Sequence, residues 1–117
     1  MNADLEPSET HSIRVFDLNM ARAYYTCVFD AEADDEGDDN RCAIRIGAKR
    51  FDLIRDKVGA EETPQHCAQV ADVDVSVARV ATRGGKIVDR PHPVEGGGRE
   101  GCVIDPFGHR WLVRTRP

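Results

Sequence analysis

No stretch of this 117-residue chain approaches the run of about 20 apolar residues that a membrane-crossing helix needs. Basic charge is not in excess either. The formal net charge is -5, which argues against a general nucleic-acid binder, whose electrostatic footprint would be basic. Residues 1–9 are polar and acidic and lack the basic and apolar regions of a signal peptide. A cytoplasmic location is therefore expected. The cysteines Cys27, Cys42, Cys67 and Cys102 form no C-x-x-C pair. Reduced thiols are the default in that compartment, and the four read as small core residues rather than catalytic groups. There is no G-x-S-x-G, and Gly96-Gly97-Gly98 is followed by no helix-start lysine. Neither a serine nucleophile nor a phosphate-binding loop is therefore indicated.

What the chain does contain is a repeat. His11-Ser12-Ile13-Arg14-Val15-Phe16-Asp17-Leu18-Asn19-Met20 returns 55 residues later as His66-Cys67-Ala68-Gln69-Val70-Ala71-Asp72-Val73-Asp74-Val75. A period of half the chain signals two copies of one supersecondary unit. The first unit reads as a strand over 11–16, a helix over 18–29 capped by Asp17, a short strand near 32–35, a solvated acidic turn, and a hairpin of strands 41–46 and 50–55 around Gly47-Ala48. The second reads as a strand over 66–71, a helix over 73–83 capped by Asp72 and stopped by Gly84-Gly85, and a strand over 86–89. A loop over 90–101 follows, then strands over 102–104 and 110–114. Cys42 and Cys102 look like repeat mates, each opening an apolar strand. Composition (40% hydrophobic, 32% charged) and length fit one globular domain, residues 10–117, with a flexible N-terminus over 1–9 and modules at 10–56 and 65–117.

Four segments carry a resemblance. They are V-x-D-L-x-x-A-x-x-Y-Y at Val15–Tyr25, V-A-D-V-D at Val70–Asp74, G-G-K-I-V at Gly84–Val88 and D-P-F-G-H-R-W at Asp105–Trp111. In their order and spacing the chain resembles the vicinal oxygen chelate superfamily, the glyoxalase/bleomycin-resistance/dioxygenase family, and most closely its PhnB-like and bleomycin-resistance-like branches. The resemblance implies an α+β fold of two βαβββ modules with curved mixed sheets around a cleft, commonly as a homodimer. It also implies where a metal would sit. The first-strand ligand position, usually His or Gln, falls on Thr10 and Gln65. The last-strand position, usually Glu, falls on Asp52 and Leu112. That leaves two possible ligands where catalytic sites usually need three.

Strand parity sorts the remaining candidates. Ser12, Arg14, Arg50, Asp52, Ile54, Gln65, Cys67, Gln69, Arg110, Leu112 and Arg114 fall on one face and are expected to line the cleft. Phe51, Leu53, Trp111 and Val113 fall on the other and read as core. Of the first set, Arg14, Asp52, Ile54, Gln65, Cys67, Gln69 and Leu112 are the candidate ligand-binding residues. Guanidinium groups suit a carboxylate- or phosphate-bearing molecule, with Asp52 the expected counter-ion of Arg14; the alternative is that the two merely neutralise one another. His11 and His66 fall on the core face. A bulge in both first strands would be needed to bring them together with Asp52 as a 2-His-1-carboxylate set. His92, Glu95 and Arg99, in the glycine-rich loop, are placed to reach a ligand, and His109 reads as a surface turn residue. The chain thus reads as a small-molecule binding protein with no cofactor. The alternatives are an enzyme using a divalent metal ion on His11, His66 and Asp52, of glyoxalase lyase, isomerase or dioxygenase type, and an interaction module with a filled cleft.

Overall fold

A computed structural model describes residues 10–56 and 65–117; the expectations for residues 1–9 and for most of the inter-module linker lie outside the described residues. Each half of the chain runs strand, helix, three strands. The first comprises β1 (Thr10–Val15), α1 (Leu18–Phe29), β2 (Glu32–Gly37), β3 (Arg41–Ile46) and β4 (Lys49–Arg55). The second comprises β5 (His66–Val70), α2 (Val73–Thr82), β6 (Lys86–Pro93), β7 (Arg99–Ile104) and β8 (Arg110–Thr115). The strand orders are β1-β4-β3-β2 and β5-β8-β7-β6. In both sheets the first strand pairs parallel with the last, and the other pairings are antiparallel. The two βαβββ modules inferred from the repeat are therefore present.

The repeated aspartates explain the helix starts. Asp17 accepts a hydrogen bond from the Met20 N–H at 3.0 Å, and Asp72 accepts one from Val75 at 3.2 Å. Each satisfies an amide that the first helical turn leaves unpaired. Helix α1 then turns Leu18, Ala21, Tyr25, Val28 and Phe29 inward. It ends at Asp30, whose left-handed φ of 57° closes the last turn.

One boundary differs from the sequence reading. Residues 90–93 and 99–101 are strand, so the expected 90–101 loop contracts to a turn over 94–98. Pro91 and Pro93 suggested a loop because proline cannot donate to a ladder. Yet β6 is an edge strand with irregular register, where a missing donor costs little.

The modules meet on their helix sides. Trp111, fully buried, is packed by Tyr25, Phe29 and Phe51 at ring-centroid distances of 5.4, 4.9 and 5.2 Å. The core assignment of Phe51, Leu53, Trp111 and Val113 holds. Asp105, only 3% exposed, sits among these rings. Its Oδ2 accepts from the Tyr25 hydroxyl at 2.5 Å and the Trp111 indole N–H at 2.9 Å. Its Oδ1 accepts from the Phe107 and His109 amides at 2.9 and 3.0 Å. Four donors thus surround one side chain, and Tyr25 brings α1 of the first module onto the β7–β8 turn of the second. Burial and the adjacent Asp105 push the Tyr25 phenol well above its ordinary pKa, so its O–H stays available to donate.

A second link is steric. Gly47, at the β3–β4 turn, has φ 61°, and a Cβ there would come within 2.8 Å of the Gln69 Cβ and 2.9 Å of its carbonyl oxygen. Only glycine combines that conformation with that approach.

Two outcomes are expected. Asp105→Ala leaves the indole and hydroxyl donors buried without an acceptor and lowers unfolding free energy by about 3–5 kcal/mol, measurable by urea denaturation. Gly47→Ala lowers it by about 1–3 kcal/mol through strain and the clash with β5, without changing the circular dichroism of the folded protein.

Candidate functional site

Each sheet packs one face under the helices and leaves the other open. In β1, Ile13 and Val15 are buried while Ser12 and Arg14 are exposed; β5 alternates likewise. The open faces can be laid out as rows from the strand registers. On the first sheet, Arg50 lies opposite Arg45, Asp52 lies between Ser12 and Ala43, and Ile54 lies between Arg14 and Arg41. On the second, Arg110 lies opposite Ile104, Leu112 lies between Cys67 and Cys102, and Arg114 lies between Gln69 and Glu100. The expected cleft residues of β1, β4, β5 and β8 do share open faces. Gln65, just before β5, is exposed.

The sequence reading missed the β3 and β7 contributions. Exposed Arg41 and Arg45 alternate with buried Cys42, Ile44 and Ile46, and Ala43, itself buried, pairs with Asp52 on their face; the same parity argument extended to β3 finds all three. It also separates the cysteines. Cys42 pairs with Leu53 on the helix side, whereas Cys102 pairs with Leu112 on the open face. The mate of Cys102 is Ala43, so the proposed Cys42–Cys102 equivalence is off by one residue.

Asp52 is the electrostatic centre of the first face. Its carboxylate lies 3.5 Å from Arg41 and 3.7 Å from Arg50. Arg14 pairs instead with Asp56 at 3.7 Å, which corrects the expected Arg14–Asp52 pair. In the parallel register Asp52 stands opposite Ser12, two residues before Arg14, so the guanidinium extends to the strand end. Two shallow grooves mark this face. One, of about 230 Å³, is bordered by Glu32, Asp34, Ala43, Arg45 and Arg50, and another, of about 190 Å³, by Asp34, Arg41, Ala43, Arg50 and Asp52. A larger groove of about 520 Å³ lies on the second sheet, between Gln69, Arg114, Arg116 and the Glu95–Gly98 turn. Of the three loop candidates Glu95 and Arg99 border this groove, and Arg99 is tied to Asp74 at 2.8 Å. His92 pairs with Asp89 at 3.2 Å on the edge strand.

His11 and His66 lie on the helix side, the face that parity assigns them. His66, 4% exposed, contacts Phe51, Trp111, His11 and His109 with ring centroids 5.9, 5.0, 6.2 and 5.9 Å away. Asp52 is on the opposite face of β4 from Phe51, so His11, His66 and Asp52 do not share a face. Among the described residues no group of three or more His, Cys, Asp or Glu is placed to hold a metal ion. Of the positions where the resemblance would put ligands, Leu112 has no donor atom, Asp52 is ion-paired with two guanidinium groups, and Gln65 is exposed just before β5. His109 is not the surface residue expected. It is 1% exposed, and its Nε2–H donates to the Arg14 carbonyl at 2.7 Å across the module seam.

Residues 9–113 match the Glyoxalase/Bleomycin resistance protein/Dioxygenase superfamily. The chain belongs to that superfamily. No curated protein matches it. Among solved structures, it superposes on a glyoxalase/bleomycin resistance protein/dioxygenase family enzyme from Burkholderia phytofirmans PsJN with a TM-score of 0.74 at 12% identity, covering 93% of this chain and 98% of that one. The fosfomycin resistance protein FosX from Listeria monocytogenes, solved with Mn(II) and sulfate, gives 0.72 at 21% identity, covering 100% and 93%. A lactoylglutathione lyase from Agrobacterium tumefaciens gives 0.65 at 19% identity, covering 91% and 90%. At these identities the likeness is one of fold.

The buried imidazole sets a pH dependence. Burial, helped by neighbouring His109, His11 and Lys49, lowers the His66 pKa to about 4. Unfolded, the same ring titrates near the ordinary value of 6.5. Between those values the unfolded chain binds the extra proton, so stability falls as pH drops from about 6.5 towards 4. The urea midpoint of the parent should decrease over that window. His66→Phe, which keeps the ring, should flatten the decrease; equal slopes in both proteins would contradict the assignment.

Proposed function

We propose that the protein binds a small polar or anionic organic molecule, a metabolite or drug, on the open faces of its sheets, without a complete metal site. The observation that carries this reading is the pair Arg41 and Arg50 flanking the carboxylate of Asp52 beside a groove. Each guanidinium meets Asp52 through only part of its donor fork and is more than half exposed, so both keep N–H groups for a carboxylate or phosphonate ligand beside the two carboxylates, Asp34 and Asp52, that border the groove. Arg14 and Ile54 extend the same surface, while Gln65, Cys67, Gln69 and Leu112 supply the corresponding positions of the second module. The superposable FosX is by its name a fosfomycin resistance protein and was solved with sulfate; a small oxyanion ligand for the present chain is consistent with that likeness.

Both open faces are accessible to solvent, and no groove described above draws on both sheets. A homodimer in which a second copy closes the cleft follows from this and belongs to the same proposal. The helix-side position of His11 and His66 disfavours the metal-enzyme reading that would use them with Asp52.

Methylphosphonate titrated into the protein tests the reading by amide chemical shifts. Shifts centred on Arg41, Asp52 and Arg50 are expected, with binding weakened about tenfold or more in Arg50→Ala. Saturating phosphonate that moves no amide of β3 or β4 would refute it. So would a stoichiometric divalent ion retained through purification, as to the missing metal. Light scattering that shows a monomer at high concentration removes the dimer.

A further inference from the structure

The two open faces are built on one grid but filled with different chemistry. Where the first sheet places Ser12, Asp52 and Ala43 side by side, the second places Cys67, Leu112 and Cys102. Strands are about 4.8 Å apart, so this row forms an apolar, polarisable lane about 10 Å across, part-exposed at Cys67 and Leu112 and buried at Cys102. Arg110 borders it on one side and approaches the Cys102 sulfur at 3.8 Å. On the other side, two residues or about 7 Å along the strands, lies the row of Gln69 and Arg114 that opens into the 520 Å³ groove. Arg114 is committed to Glu100 at 3.3 Å. Arg116, across the same groove, has no carboxylate partner among the described residues. The far wall is the turn holding Gly96, Gly97 and Gly98, all at positive φ, and a Cβ at Gly96 or Gly97 would meet nothing within 4 Å.

An apolar lane leading to an unpaired guanidinium has the form of a receptor for an amphipathic acid. We propose that the second sheet binds the hydrocarbon part of such a ligand across Cys67, Leu112 and Cys102, with its carboxylate in the adjoining groove against Arg116. The inference rests on the anion-binding reading above and narrows it to carboxylic acids with an apolar body. Charge argues against a wholly apolar occupant, since Arg110, Arg114 and Arg116 surround the lane. Glu100 holds Arg114, which leaves Arg116 as the cation of the groove to meet the head group, with Glu95 on the facing turn and Arg110 at the opposite edge of the lane.

Calorimetric titration with the linear acids acetate, butanoate, hexanoate and octanoate tests this. Affinity should rise about two- to fourfold per added methylene, as expected for partial to full burial of each CH₂. Arg116→Ala should weaken every acid by a similar factor, and Leu112→Asp should abolish the gain with length. Cys67→Ser, a one-atom change in an already half-buried side chain, should reduce that gain and serves if Leu112→Asp does not fold. Equal affinity for all four acids, or a length dependence that survives Leu112→Asp and Cys67→Ser, overturns the inference while methylphosphonate binding on the first sheet keeps the broader reading. Failure of both the acids and methylphosphonate removes both. If no acid binds and Leu112→Asp converts a dimer to a monomer, the lane is a subunit interface and the inference is wrong.

Discussion

The Asp105 side chain is the point on which the two halves of the molecule depend. It is enclosed by aromatic rings, where an unpaired carboxyl group would be strongly destabilising. It is tolerated because a hydroxyl and an indole fill one oxygen and two backbone amides fill the other. The donors come from both modules. Hence the turn before β8, the position of Trp111 and the docking of α1 are fixed together, and none can shift without stranding a buried donor. The contact from His109 to the Arg14 carbonyl and the close seat of Gly47 on Gln69 work at the same seam. They tie the β7–β8 turn to β1 and the β3–β4 turn to β5, so each module's last hairpin rests on the other's first strand.

Much of this fold could be read from the chain because its signals are local. Asp17 and Asp72 mark helix starts through hydrogen bonds spanning three residues, and alternation in β1, β4, β5 and β8 assigns faces without knowledge of neighbours. The features that escaped are those set by distant contacts. His109 looked like a turn residue on the surface because its acceptor, the Arg14 carbonyl, lies 95 positions away in the sequence. A shared face suggests Asp52 as the partner of Arg14, but register places Asp52 two residues short and Asp56 within reach. The strand character of residues 90–93 depends on β6 being at a sheet edge, which its prolines cannot announce. The candidate site was legible in part. Its β1, β4, β5 and β8 residues followed from parity, while Arg41, Arg45 and Cys102 required the same rule on strands that the resemblance had not emphasised.

Duplication has left two sheets with common geometry and divergent surfaces. The first centres on a carboxylate bracketed by guanidinium groups; the second centres on leucine between two thiols. The helix-side faces have stayed alike in being apolar, since both must enter one core around Trp111.

The strict alternation along β4 and β8 also bears on how such a chain can change over generations. Side chains that secure the fold and side chains that meet a ligand occupy alternate positions of the same strands. A substitution at Asp52 or Leu112 therefore leaves Phe51, Leu53, Trp111 and Val113 in place. Recognition can drift while the core stays under separate selection. A protein arranged in this way can acquire new ligands through point changes that its stability margin tolerates.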